Sequence, residues 1–184
     1  MRTKLLRLVP IVIVAAGFFL APSLVRQFFP IQLPSTMPAL HASPRPLPAF
    51  EFRDGDGRKF TLADFRGRFV LLNFWATWCA PCKEEMPSLN ALASRFPAKD
   101  LVVVPVSVDL SGVTAVRAYY KRLALDNLPV YADPTSDAMH ALGVIGIPTT
   151  LLINADGLEI GRLVGAAQWN AAAIVEGLSK LIER

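Results

Sequence analysis

The chain has 184 residues, 53% of them hydrophobic, with a formal net charge of +4 and only two cysteines. That length fits one domain of about 100–150 residues plus an additional segment. Arg2, Lys4, Arg7 and Arg26 fall in the first 26 residues with no acid, which leaves fifteen basic against fifteen acidic residues beyond them; the charge therefore gives no sign of nucleic-acid binding, which needs a basic face on a folded domain.

Leu8 to Val25 are 18 residues without a charge. As a helix they would span about 27 Å, enough to cross a hydrocarbon core. The preceding positive charges place the N-terminus in the cytoplasm and the remainder outside it. The favoured reading of residues 1–26 is a signal-anchor in the inner membrane, with a cleaved signal peptide as the alternative. Residues 27–48 hold Pro30, Pro34, Pro38, Pro44, Pro46 and Pro48. Proline blocks helix and sheet interiors, so the segment reads as a semi-rigid spacer with His41 solvated in it.

The folded domain is expected over 49–184. Around the Asp54-Gly55 pair, "AFEFRDGDGRKFTL" alternates in the manner of a β-hairpin. "RFVLLNFWA" (68–76) and "LVVVPVSVD" (101–109) are continuous apolar runs, the pattern of strands buried on both faces. Between them, Met86, Leu89, Leu92 and Phe96 recur at helical spacing in 81–96. An amphipathic helix at 114–125, a short strand at 128–133 and a short helix at 136–142 follow. Two strands at 148–165, joined at Asn154–Gly157, and a closing helix at 171–184 complete an α/β fold.

Cys79 and Cys82 sit where the first buried strand gives way to a helix. A bridge between residues so close closes too small a loop to restrain an unfolded chain much, which leaves metal binding or thiol chemistry. A structural zinc site needs four ligands. There is no second Cys pair, and the two histidines are His41, in the proline-rich segment, and His140. Copper(I) on the two thiolates stays open as a secondary property. Helix N-termini favour anions, so Cys79 is expected to be the exposed, low-pKa nucleophile and Cys82 the shielded resolving thiol.

"NFWATWCAPCKEEMP" (73–87) resembles the active-site stretch of thioredoxin-like proteins, and "GVIGIPTTLLINADGLEIGRLVG" (143–165) resembles their second signature. The resemblance covers residues 48 to 184. It implies a thioredoxin-like fold, a central mixed sheet flanked by helices, with an N-terminal hairpin and a helix-strand insertion after Asp109. Anchor and insertion together resemble the TlpA/ResA/CcmG group, and the ending 164–182 is most similar to TlpA. The resemblance implies a redox-active Cys79–Cys82 disulfide. It also implies a cis-proline at Pro148, substrate positioning by Trp78 and Ile147, and tuning of the cysteines by Glu85, whose alternative is a solvated helix carboxylate. Trp75 is expected in the core. Asn73 stands where classical thioredoxins carry a buried aspartate, Pro105 where they carry a lysine. Ala80-Pro81 and Thr149 depart from the CcmG pattern and weaken a haem-maturation role.

The expected activity is thiol-disulfide exchange, reducing client proteins outside the cytoplasm. No G-x-G-x-x-G follows a strand and no cofactor is expected, so electrons must come from another protein. The resemblance implies a membrane thiol transporter related to DsbD or CcdA as that donor, and copper-assembly factors of cytochrome oxidase as clients. Cytochrome c maturation in the ResA/CcmG manner and a tethered copper(I) chaperone are the alternatives. The direction of electron flow is not readable from the motif alone.

Overall fold

The computed structural model describes residues 33–183, and the segment expected to anchor the chain, 8–25, lies outside them. Eight strands form one mixed sheet: β1 (Leu40–Arg45), β2 (Phe52–Asp54), β3 (Lys59–Phe60), β4 (Phe69–Trp75), β5 (Leu101–Ser107), β6 (Tyr131–Ala132), β7 (Thr149–Ile153) and β8 (Glu159–Val164). Their spatial order is β1-β8-β7-β4-β5-β6-β2-β3. The helices are α1 (Ala80–Ala93), α2 (Val113–Leu123), α3 (Asp137–Ala141) and α4 (Ala172–Ile182).

The two apolar runs occupy the middle, as their composition requires. β4 is buried from Val70 to Trp75 and runs parallel to β5 and antiparallel to β7. Pro105 is tolerated inside β5 because pairing with the two-residue β6 begins only at Val106. The inserted β6 also carries the hairpin, since β2 pairs with it at Arg53 and Asp54. Rings of Phe52, Phe60, Phe65 and Tyr131 close over that junction. Trp75 is in the core as expected, stacked on Tyr120 of α2 at 5.7 Å between ring centres.

α1 contains Pro87, which lacks an N–H and so leaves the carbonyl of Lys83 without its helical donor. The Tyr119 hydroxyl of α2 donates to that carbonyl at 3.4 Å and offsets the loss.

The expectation of a spacer through residue 48 is corrected over its second half. Leu40–Arg45 is an edge strand against β8, with a bulge between its paired ends. Proline-bearing sequence is compatible with an edge, where one side of the strand makes no ladder. Ahead of it, the Pro34 carbonyl accepts from Gln168 N–H at 2.8 Å. Met37 fills the notch left by Gly177, where a Cβ would collide with its side chain. His41, expected in solvent, is half-buried and 3.1 Å from the Glu159 carboxylate. Arg162 grips the same carboxylate at 2.7 and 2.8 Å. Burial alone would raise the Glu159 pKa; the Arg162 and His41 contacts outweigh it and hold the group below its ordinary range.

Removing the His41 contact should therefore loosen β1 without unfolding the centre. In His41→Ala, amides of residues 40–45 should exchange with solvent about tenfold faster while those of β4 and β7 keep their protection, read by hydrogen exchange.

Candidate active site

Cys79 ends the turn after β4 and is the N-cap of α1. Its sulfur accepts from the Cys82 N–H at 3.3 Å, and the two cysteines are joined in a disulfide with Cα atoms 5.3 Å apart. Pro81 lies in the first turn, where its missing N–H costs nothing. The turn is pinned by Asp109, just past β5. Asp109 accepts from the Thr77 N–H at 2.9 Å and from the Thr77 and Ser107 hydroxyls at 2.7 and 2.6 Å. A rigid seat for Cys79 is thereby built from two strand ends.

The facing wall is the loop before β7. The Ile147–Pro148 bond is cis, and the Ile147 carbonyl oxygen lies 3.8 Å from the Cys79 sulfur. The Thr149 hydroxyl donates to Gly146 O at 2.7 Å, and Gly165 N–H to Pro148 O at 2.8 Å, so the loop is tied to both its own strand and β8. This wall makes Cys79 less open than its helix position suggests: it is 7% exposed, against 0% for Cys82. The order of exposure is the one expected; an openly exposed Cys79 is not. Trp78, by contrast, is 67% exposed and stands at the rim.

Glu85, one turn beyond Cys82, is fully buried, which overturns the solvated reading of this carboxylate. Its Oε2 accepts from the Trp169 indole N–H at 2.8 Å and the Ala167 backbone N–H at 3.0 Å. Its Oε1 accepts from the Asn73 amide at 2.8 Å, and that amide also donates to Thr150 Oγ1 at 2.9 Å. Ser88 closes the cluster, donating to Glu85 O at 2.7 Å and accepting from Trp169 N–H at 3.0 Å. Burial pushes the Glu85 pKa up to about 7; the bonds from Trp169, Ala167 and Asn73 pull against that shift without cancelling it. No cation is among the causes, so the group can exchange a proton near neutrality.

Of the residues singled out in the sequence, Cys79 and Cys82 are joined and the Ile147–Pro148 loop faces them, Glu85 is buried farther along α1 among Asn73, Ala167 and Trp169, and Trp78 stands at the rim. Asp109, Trp169 and Ser88 were not anticipated. Asp109 had a signal, an acid at the carboxyl end of a central strand, where α/β folds collect their chemistry. Trp169 and Ser88 had none, because their roles depend on partners about eighty positions away in the chain.

The raised Glu85 pKa makes folding proton-coupled with a definite sign. The folded protein keeps this carboxyl protonated up to about 7, the unfolded chain only to 4.5. Its stabilising contribution is complete below 4.5 and is lost as pH rises to about 7. Across that range the oxidised protein should lose on the order of 3 kcal/mol from this group, and Glu85→Gln should flatten the slope, measured by denaturant unfolding at several pH values.

Comparison with known proteins agrees with this geometry. Residues 44–158 match the AhpC/TSA family. The thiol-disulfide oxidoreductase ResA of Bacillus thuringiensis subsp. konkukian is 37% identical over 118 residues, covering 64% of this chain and 67% of that protein. ResA of Bacillus subtilis is 36% identical over 118 residues, 64% of this chain and 65% of its own length. The crystal structure of the pneumococcal exposed lipoprotein thioredoxin Etrx1 from Streptococcus pneumoniae superposes with a TM-score of 0.61 at 29% identity, covering 72% of this chain and 99% of that one. Alongside the Cys79–Cys82 disulfide, the facing loop and the mixed sheet, these matches show that the chain belongs to the AhpC/TSA family and is a thiol-disulfide oxidoreductase of thioredoxin-like fold.

Proposed function

We propose that the protein works as a reductant of disulfides in partner proteins outside the cytoplasm. The observation that carries this reading is Cys79 at the N-cap of α1, with a buried proton-exchanging Glu85 one turn beyond its partner Cys82. In the reduced state the helix N-terminus favours the Cys79 thiolate. That thiolate attacks one sulfur of a client disulfide, the client bond breaks, and the departing client sulfur takes up a proton. Cys82 then gives its proton to the Glu85 carboxylate and attacks the Cys79 sulfur. The second client thiol leaves, and the client has gained two electrons and two protons while Cys79 and Cys82 are oxidised. Trp78 and the Ile147–Pro148 loop position the client strand at the rim.

Regeneration needs a second dithiol, for which a membrane thiol transporter of the DsbD or CcdA kind is suited. The ending 164–182, similar to TlpA, supports copper-assembly factors of cytochrome oxidase as clients. A second reading, reduction of the apocytochrome c disulfide so that its thiols can take haem, follows from the resemblance to the ResA/CcmG group. Leu8–Val25 with its basic flank supports attachment to the inner membrane with the domain in the periplasm.

Cys82→Ser should accumulate mixed disulfides on Cys79, and mass spectrometry of the trapped partners separates the two client classes; a Cys79→Ser protein that still captures clients would refute the division of roles. In the reduced protein at mildly acidic pH, iodoacetamide should modify Cys79 before Cys82. In Glu85→Gln the pH profile of Cys79 alkylation should shift to lower pH, because a neighbouring carboxylate disfavours thiolates. An unchanged profile together with unchanged client reduction would remove Glu85 from the mechanism.

A further inference from the structure

We propose that Glu85 takes up its proton on Oε1 and that the Asn73 side chain responds by turning its amide, so that Asn73 Oδ1 accepts the new O–H. The two carboxyl oxygens are held differently. Oε2 meets the Trp169 indole N–H and the Ala167 backbone N–H. Both are donors in every protonation state, and neither can accept a proton from a carboxylic acid. Oε1 has a single partner, the Asn73 amide, and an amide carries donor and acceptor on one rotatable group.

A second observation points the same way. Asn73 is 0% exposed, and its Oδ1 has no hydrogen-bond partner. A buried acceptor left unpaired is costly and calls for an explanation. With Glu85 ionised, both amide hydrogens are used, one on Glu85 Oε1 and one on Thr150 Oγ1, which leaves Oδ1 over. Half a turn of the amide brings Oδ1 to the same two neighbours. It then accepts from Glu85 Oε1–H and from the Thr150 hydroxyl, which serves as donor as readily as acceptor. The turn leaves the amide N–H groups unpaired in place of Oδ1, a cost set against the new bond from the carboxylic acid. The site thus has two arrangements, one per protonation state, with Trp169 and Ala167 unmoved.

The causes that set the Glu85 titration are burial and the bonds from Trp169, Ala167 and Asn73, with no charged side chain among them. Asn73 of β4, Thr150 of β7 and Trp169 ahead of α4 are neutral, and on α1 Lys83 is exposed and Glu84 half-buried. The titratable neighbours on the same helix turns are Cys79 and Cys82, which do not titrate while joined. In this picture Asn73 is a positioning residue that supports both the carboxylate and the acid.

The inference rests on the reading of Glu85 as a proton-exchanging group, and the test separates the two. On the oxidised full-length protein, the Glu85 carboxyl carbon and the Asn73 side-chain amide are followed by NMR through a pH titration. The Asn73 amide signals should move with the same midpoint as Glu85, and in Glu85→Gln they should rest at the wild-type acid limit at every pH. Trp169→Phe should raise the Glu85 midpoint by about one unit, since it removes a bond made to the carboxylate. Asn73→Leu should move that midpoint by less than about half a unit, because the lost amide served both forms. Asn73 signals indifferent to the Glu85 titration, or an upward shift in Asn73→Leu as large as in Trp169→Phe, would overturn the proposal. The wild-type titration needs no variant to fold. A Glu85 that does not titrate between pH 5 and 9 would instead refute the reading on which the proposal rests, which the thiol alkylation profile checks independently.

Discussion

A carboxylate withdrawn from water must be compensated within the fold, and at Glu85 that compensation comes from two separate elements. Asn73 is on the central strand, Ala167 and Trp169 lie in the connection between β8 and α4, and Glu85 itself is on the helix that begins with the two cysteines. None of the donors is charged, so their hold is directional rather than coulombic. The same bonds that stabilise the ion fix α1 to the sheet and to the 165–169 connection. The helix that presents the dithiol is therefore registered by a group that also titrates near neutrality, and protonation and positioning cannot be separated.

The turn that carries Cys79 is fixed by a different device. Asp109 binds two groups of Thr77 and one of Ser107, so the strand ends of β4 and β5 are joined above the sheet. Opposite, the Ile147–Pro148 loop is closed by Thr149 on Gly146. One wall is set by an acid and the other by a hydroxyl, and the sulfur pair lies between them. This leaves the rim to Trp78, the one large apolar side chain of the motif that the core does not take.

Much of this was legible in the sequence. The continuous apolar runs identify β4 and β5, and the periodicity from Met86 onward identifies α1, because burial on two faces and burial on one stripe leave different patterns. The pairing of Cys79 with Pro148 followed from resemblance, not from periodicity. What escaped was set by contacts distant in sequence. Glu85 was singled out by resemblance, but its burial and its bonds to Ala167 and Trp169 could not be read from a helix position alone. Prolines dominate residues 27–48 so strongly that an edge strand among them gives no alternation to detect. His41 reads as a linker residue for the same reason, and only the β1–β8 register brings it to Glu159.

The strand order has one more consequence, for what the sheet refuses. Its two borders are β1 and β3. β3 has two residues, and β1 bulges between its paired ends and includes Pro44. Short, kinked or proline-bearing borders offer no regular row of free N–H and C=O groups on which another chain could add as a strand. An open, regular border exposes a protein to such augmentation and to the aggregation that follows. Here the borders are blunted on both sides, so visiting chains are turned away from the sheet margins.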